Sequence, residues 1–228
     1  MNITVAGQPL IKFQNKDIIE STQKGLIYMN SMKIYRDLYE ESGDENIGDP
    51  NEGRLYFNNG QIVIDNCSQN FNHTIMPTTT EDDFVYCMFG IKDVPFIFSE
   101  EHYKLWKNQY DTALIIKDTY ELKKRIVLAA QKQGADIQGG FVKYYSPDKN
   151  EIEPLLISLV SGKEVTTAFY KRDCYSYQKE YRLRVENPKH LDHFELQIGD
   201  IHDISIAMPV ERIMNSKVEK TNLEKICR

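Results

Sequence analysis

A chain of 228 residues with 41% hydrophobic and 27% charged residues can bury a sizeable core and is ordinary for a globular protein. A net charge of −6 and a pI near 5.5 exclude broad binding to a nucleic-acid backbone, which needs surplus Lys and Arg, but leave room for a local basic groove. No apolar run approaches the ~20 residues of a membrane helix, and Met1 to Gln8 lacks the charged start and apolar core of a signal peptide, so a cytoplasmic setting away from membranes is expected.

The 14 Tyr and 10 Phe sit mostly in strand-like runs, which favours sheet. Residues 9–13 read as a strand. Asn15 can cap a helix over 16–24 that Gly25 ends, and 26–29 return as a second strand. Ser31 can cap a short helix over 32–39. Between Glu40 and Glu52 lie Glu40, Glu41, Asp44, Glu45, Asp49 and Glu52 with no Lys or Arg, broken by glycines and Pro50. That pattern predicts a solvated, mobile loop. Its spacing does not match a calcium loop, so no metal is expected there. Residues 54–57 and 61–64 flank Asn59-Gly60 and read as a hairpin with a tight turn. Residues 65–82 read as a loop, and 83–91 as a central strand buried on both faces.

A helix follows from Ser99 to about Asn108, with Tyr103 and Trp106 inward and Trp106 as a core anchor. Strand 112–117 leads into Asp118-Thr119-Tyr120-Glu121, close to a capping box, and a helix to about Gln133 with Leu122, Ile126, Val127 and Ala130 inward. Lys123-Lys124-Arg125 is then a solvated helix face. Residues 139–145 read as a strand, 151–160 as a helix with Pro154 in its first turn, and 194–198 and 204–208 as strands. The last stretch, 209–228, reads as a polar helical tail. Without regular βαβ alternation, these runs predict one α+β domain over 1–228, with a mostly antiparallel sheet and peripheral helices.

The segment 169–185 carries the most distinctive pattern. Gln178, Glu180, Arg182 and Arg184 share one parity, and Tyr177, Tyr181, Leu183 and Val185 the other. Period two predicts a strand from about Tyr177 to Val185 with one buried face and one charged face. Such a face is either a plain ion-pair surface or the lining of a cleft. Cys67, Cys87, Cys174 and Cys227 form no C-x-x-C pair and read as free thiols. The five histidines show no ligand spacing, and no glycine-rich phosphate loop is present.

Five short stretches, in order, resemble a family of bacterial and phage proteins of unknown function. They are Gly25-Leu26-Ile27-Tyr28, Asp49-Pro50-Asn51-Glu52, Cys87-Met88-Phe89, Trp106 with Tyr110, and Tyr177-Gln178-Lys179-Glu180-Tyr181-Arg182. The family motifs read Asn-Asp-Pro-Phe-Glu and Tyr-Glu-Lys-Glu-Trp-Arg at the second and fifth. Gly48, Asn51 and Gln178 therefore stand where those motifs carry Asn, an aromatic and a carboxylate.

The pattern is also similar, more distantly, to ADP-ribosyltransferases, which end their motif set with Gln-x-Glu or Glu-x-Glu on a late strand. That resemblance implies NAD as substrate, with Glu180 as the catalytic glutamate beside the nicotinamide ribose and Gln178 orienting the acceptor from the same strand face. It further implies Lys12 at a phosphate, Tyr28 or Tyr35 stacked on nicotinamide, and Arg36 and Arg182 at the cofactor. The family's serine–threonine–serine strand has no counterpart in Cys87-Met88-Phe89-Gly90. A toxin or phage-conflict effector is the implied setting. The competing expectation is a non-enzymatic sensor or inhibitor that holds a protein partner through the acidic loop and aromatic surface. A metal-dependent nuclease comes last, given the acidic pI.

Overall fold

The computed structural model describes residues 1–44, 48–64, 67–76, 80–147, 157–158, 161, 166–213 and 216–220. In chain order the elements are β1 (Asn2–Val5), β2 (Leu10–Gln14), α1 (Lys16–Gln23), β3 (Leu26–Ser31), α2 (Met32–Ser42), β4 (Leu55–Ile64), β5 (Cys67–Met76), β6 (Phe84–Gly90), β7 (Phe96–Ile97), α3 (Glu100–Trp106), β8 (Thr112–Ile116), α4 (Thr119–Lys132), β9 (Ile137–Phe141), β10 (Lys143–Tyr145), β11 (Tyr170–Arg172), β12 (Glu180–Val185), β13 (His193–Gln197), β14 (Ser205–Pro209), α5 (Val210–Ile213) and β15 (Lys217–Lys220). The architecture is α+β with mostly antiparallel pairing, as the residue pattern predicts. The chain forms two compact units, each assembled from separate stretches.

The first unit comprises Met1–Tyr28, Cys87–Asp136 and Glu195–Arg228. Strand β2 pairs antiparallel with β6 (Ile11↔Phe89) and with β8 (Leu10↔Ile116 through Gln14↔Thr112), and β8 pairs with β14. Every residue of β8 is buried, which explains its unbroken apolar run. Phe13 stacks on Trp106 with ring centroids 4.0 Å apart, inside a cluster that includes Phe89, Phe98 and Ile115. Asp118 caps α4 by accepting from the backbone N–H of Tyr120 and Glu121, each at 3.0 Å. The second half of the capping box is not made, because the Glu121 carboxylate turns forward to Arg125 Nε at 2.9 Å.

Two further expectations fail in this unit. Val127 is exposed, whereas Leu122, Ile126, Ala129 and Ala130 are buried. At about 100° per residue, Val127 lies roughly 140° around the helix from Leu122, outside the apolar stripe. The C-terminal stretch is not one helix. Among its described residues only Val210–Ile213 is helical, and Lys217–Lys220 is a strand lying parallel to β1 and antiparallel to β7. The strand form places Val218 in the core at 1% exposure, and it supplies the hydrogen-bond partner for β1, an element the sequence pattern did not announce. Residues 221–228 lie outside the described residues.

The second unit comprises Met29–Tyr86 and Ile137–Phe194. Strand β12 pairs antiparallel with β9 from Tyr181↔Phe141 to Val185↔Ile137, and also pairs with β6. β10 and β11 pair in parallel. The expected turn at Asn59-Gly60 is absent. β4 continues through both residues, and its pairing with β5, which occupies what reads as loop, runs on to Ile64↔Cys67. The longer pairing completes a ladder from Leu55↔Met76 to Ile64↔Cys67, where the short hairpin would have made only a few ladder bonds. The helix expected over 151–160 lies almost wholly outside the described residues.

Candidate functional site

The site is built within the second unit, from the 48–52 segment, β11 and β12. Gly48 packs directly on α2. A Cβ at this position would lie 2.5 Å from both the Tyr35 carbonyl oxygen and the Tyr39 nitrogen. This close approach lets the Asp49 N–H donate to the Tyr35 carbonyl at 3.2 Å. Asp49 then closes its own turn: its Oδ1 accepts from the Asn51 N–H at 2.9 Å, and its carbonyl accepts from the Glu52 N–H at 3.1 Å. The Arg36 guanidinium, buried under α2, donates to the Glu52 carbonyl at 2.6 Å and the Glu81 carbonyl at 2.7 Å, and pairs with Asp82. The segment is thereby turned inward. Asp49 and Glu52 are each 3% exposed, so the expectation of a solvated acidic loop fails at these two carboxylates.

The strand expected from Tyr177 begins at Glu180. Residues Asp173–Gln178 form a 3-10 helix, and Lys179 takes a left-handed conformation at φ 45° before β12 starts. Gln178 is therefore not on the strand with Glu180. All six residues of β12 are buried, because the strand has neighbours on both edges and cover on both faces. The charged face is real, but it points into the protein: Arg182 is 1% exposed and Arg184 2%. Arg184 donates to Asp83 at 2.6 Å, and Asp83 also accepts from the Asn187 N–H at 3.1 Å.

Lys171 on β11 joins the pieces. Its Nζ lies 2.8 Å from Gln178 Oε1, 3.0 Å from Glu180 Oε1 and 3.2 Å from Glu52 Oε2, and sits 4.6 Å from the centre of the Tyr175 ring. Arg182 meets the same two carboxylates from the other side. Its Nε donates to Glu180 Oε2 at 2.6 Å, and Nη1 and Nη2 donate to Glu52 at 2.6 and 3.1 Å. Nη1 also reaches the Ala168 carbonyl at 2.8 Å. Arg172, next to Lys171 and so on the opposite side of the strand, donates from Nη2 to Asp49 at 3.3 Å and to the Tyr175 hydroxyl at 3.0 Å. The Glu180 N–H donates to the Tyr144 hydroxyl at 2.9 Å.

Three carboxylates, Asp49, Glu52 and Glu180, thus face three cations, Lys171, Arg172 and Arg182. Burial pushes Glu180 up, but Arg182 and Lys171 outweigh it and hold the carboxyl well below the usual carboxylate range. Glu52 is lowered by the same pair against its own burial. Asp49 moves the other way: burial and the Glu52 charge raise it further than Lys171, the Asn51 N–H and Arg172 lower it. Burial lowers Lys171, yet Glu180 and Glu52 raise it above an ordinary lysine. Tyr144 is raised by burial and by the Glu180 charge, and burial pushes Tyr145 up to about 12. Glu52, Glu180 and Lys171 are consequently all charged at neutral pH.

Of the residues expected at a site, Glu180, Gln178 and Arg182 come together directly. Arg36 is one bond removed, through the Glu52 carbonyl, and Tyr35 contributes its carbonyl to the Asp49 N–H. Lys12 and Tyr28 belong to the first unit. Lys12 Nζ donates to the Cys87 carbonyl at 2.9 Å, and Tyr28 is 43% exposed on β3. Lys171 and Arg172 were not anticipated. The alternation of Tyr170, Lys171 and Arg172 is too short to announce a strand, and their partners lie up to 123 residues away.

Comparison with protein-family models, curated proteins and solved structures finds no match. Among the described residues, no helix is long and apolar enough to cross a membrane, and no group of three or more His, Cys, Asp or Glu side chains could hold a metal ion. Among the described residues, Cys67, Cys87 and Cys174 form no disulfide.

Proposed function

We propose that the chain is an NAD-using, ADP-ribosyltransferase-like protein in which Glu180 is the carboxylate beside the reacting sugar. The observation that carries this reading is the anchoring of Gln178 and Glu180 on a single Lys171 ammonium, with Arg182 fixing the second Glu180 oxygen. Loss of nicotinamide leaves positive charge on the ribose. A carboxylate held ionised and immobile stabilises such charge without reorganising. Lys171 and Arg182 each engage one Glu180 oxygen, and a carboxylate offers about four lone-pair sites, so a ribose hydroxyl can still donate to it.

Burial of a neutralised ion cluster supports a site more than it supports stability. Such clusters add little over well-packed apolar residues, whereas perturbed titratable groups gather where chemistry is done. In this reading Gln178 orients the acceptor. Arg36 and Arg182 act by positioning Glu52 and Glu180, and Tyr35, in the same unit, is the candidate for cofactor contact. Conflict between phage and host is the setting that the resemblance to bacterial and phage proteins suggests for this reading.

The test is incubation of the full chain with radiolabelled NAD and a bacterial lysate. The expected result is a labelled acceptor or free ADP-ribose, reduced about 100-fold or more by Glu180→Gln in a variant that keeps its circular dichroism spectrum. Gln178→Ala should lower transfer while sparing NAD hydrolysis. If neither product forms with the wild-type chain, the reading fails. Stoichiometric recovery of a protein partner without bound nucleotide would then establish the non-enzymatic binding module in its place.

A further inference from the structure

Strand β9 lies at a sheet edge, and alternation decides which of its groups face outward. The Val142 N–H donates to the Glu180 carbonyl at 3.0 Å, in the same register that sets Gly140 opposite Arg182 and Gln138 opposite Arg184. In an antiparallel ladder every second residue bonds to a given neighbour. Gly140 and Gln138 therefore bond to β12, and Ile137, Gly139 and Phe141 turn their N–H and C=O groups to the opposite edge. Among the described residues β9 pairs with β12 alone. Gln138 and Gly139 are exposed, and Ile137 and Phe141 are half-buried. Folded chains protect such edges with proline, charge or a bulge. β14, which also pairs on one side only, is protected. The Lys117 N–H donates to the Ile204 carbonyl and the Val210 N–H to the Asp111 carbonyl, so even-numbered residues face β8 and the ring of Pro209 faces outward. β9 has none of these devices. Its five residues carry no charge and no proline, and its register with β12 runs unbroken from Ile137 to Phe141.

We infer that β9 is a self-association surface, pairing antiparallel with β9 of a second copy about a two-fold axis at Gly139. The strand is complementary to itself in that register. Gly139 exchanges both backbone bonds with Gly139 of the other copy, Ile137 packs beside Phe141, and the Gln138 side chain crosses the bare Gly140. Charge selects the antiparallel sense. Asp136 precedes the strand and Lys143 follows it, both exposed. Antiparallel pairing brings each Asp136 near the other copy's Lys143, whereas parallel pairing sets like charges together. A two-fold contact of this kind closes after two copies. Five residues a side bury less than the ~1,200 Å² of a standard stable interface, so the dimer is weak and forms in the micromolar range. The surface uses neither Glu180 nor Gln178 and does not rest on the NAD reading.

The experiment is sedimentation velocity of the full chain from about 1 to 200 μM, with hydrogen exchange of the Gly139 amide followed by NMR over the same range. The expected result is a rise from the 26.6 kDa of one chain towards twice that mass, with protection of the Gly139 amide rising in step. Ile137→Pro removes an outward donor at the first residue of the strand without touching the β12 ladder, and should weaken the dimer about tenfold or more. Gln138→Lys sets a cation at the exposed edge of each copy and should weaken it as well. A single-chain mass at every concentration would overturn the inference. So would a dimer whose Gly139 amide stays unprotected, because another surface would then hold the copies together. Protection of that amide in the monomer would overturn it too, the edge being covered within the chain. If Ile137→Pro loses the circular dichroism spectrum of the wild type, Gln138→Lys decides.

Discussion

Arg182 and Glu52, 130 residues apart in sequence, form a bidentate pair in which Nη1 and Nη2 meet the two carboxylate oxygens at 2.6 and 3.1 Å. Fork-on-fork geometry of this kind fixes direction as well as distance. It locks the 48–52 segment to β12, and through Arg182 Nε it also sets the orientation of Glu180.

Removing one partner should therefore cost more than removing both. Arg182→Met leaves Glu52 and Glu180 buried with Lys171 as their shared cation, and should destabilise the fold by about 3–5 kcal/mol. Arg182→Met combined with Glu52→Leu should cost clearly less than the sum of the two single changes. Urea unfolding of the four proteins in a double-mutant cycle measures this. Additive losses would mean that the pair is not coupled.

The pH dependence of stability follows from the same residues. Glu180 and Glu52 have folded-state pKa values below their ordinary value of 4.5. Their contribution is present above that unfolded value and is lost as pH falls through the folded values. Asp49 is raised above its ordinary 3.8, so its ionisation works against the fold as pH rises through that window and partly offsets the other two. Thermal unfolding between pH 7 and pH 3 should show a steep loss of stability below about pH 4.5. Glu180→Gln should flatten that loss. An equally steep loss in the variant would show that Glu180 is not held ionised by its partners.

Gly48 is a test of how the 48–52 segment is seated. Its φ is not the issue. A Cβ here would meet helix backbone at 2.5 Å, and backbone cannot swing aside as a side-chain tip can. Gly48→Ala should lower stability by about 1–3 kcal/mol, whereas Gly43→Ala has open space and carries only the strain of its left-handed φ of 66°. Denaturant midpoints compare the two. Equal stability of Gly48→Ala and wild type would show that the segment can lift from α2.

The faces of α4 make the simplest comparison. Val127→Lys should change stability by no more than about 0.5 kcal/mol, because the side chain is 43% exposed. Leu122→Ala should cost about 2–5 kcal/mol, because Leu122 is 2% exposed. Thermal midpoints of the two variants check the assignment, and a large loss for Val127→Lys would overturn it.

Local physics determined a good part of this protein from the sequence alone. The Asp118 cap, the apolar run of β8, the buried strand β6 and the Trp106 anchor each depend on a few neighbouring residues, so spacing reveals them. The α+β class follows from their order. Spacing also marked Glu180 and Arg182, since period two puts chemistry on one face of a strand; Gln178 shares that parity but reaches the cluster from the 3-10 helix before the strand, through Lys171. Spacing could not say whether that face meets water or protein, because alternation is the same in both cases. The tertiary structure decided the rest. It buried Asp49 and Glu52 by packing Gly48 on α2, began β12 at Glu180 after a left-handed Lys179, and brought Lys171 between three acceptors. Those pairings join residues up to 130 positions apart. Nothing in the local sequence encodes such a separation, and only the folded chain brings the charges close enough to compensate one another.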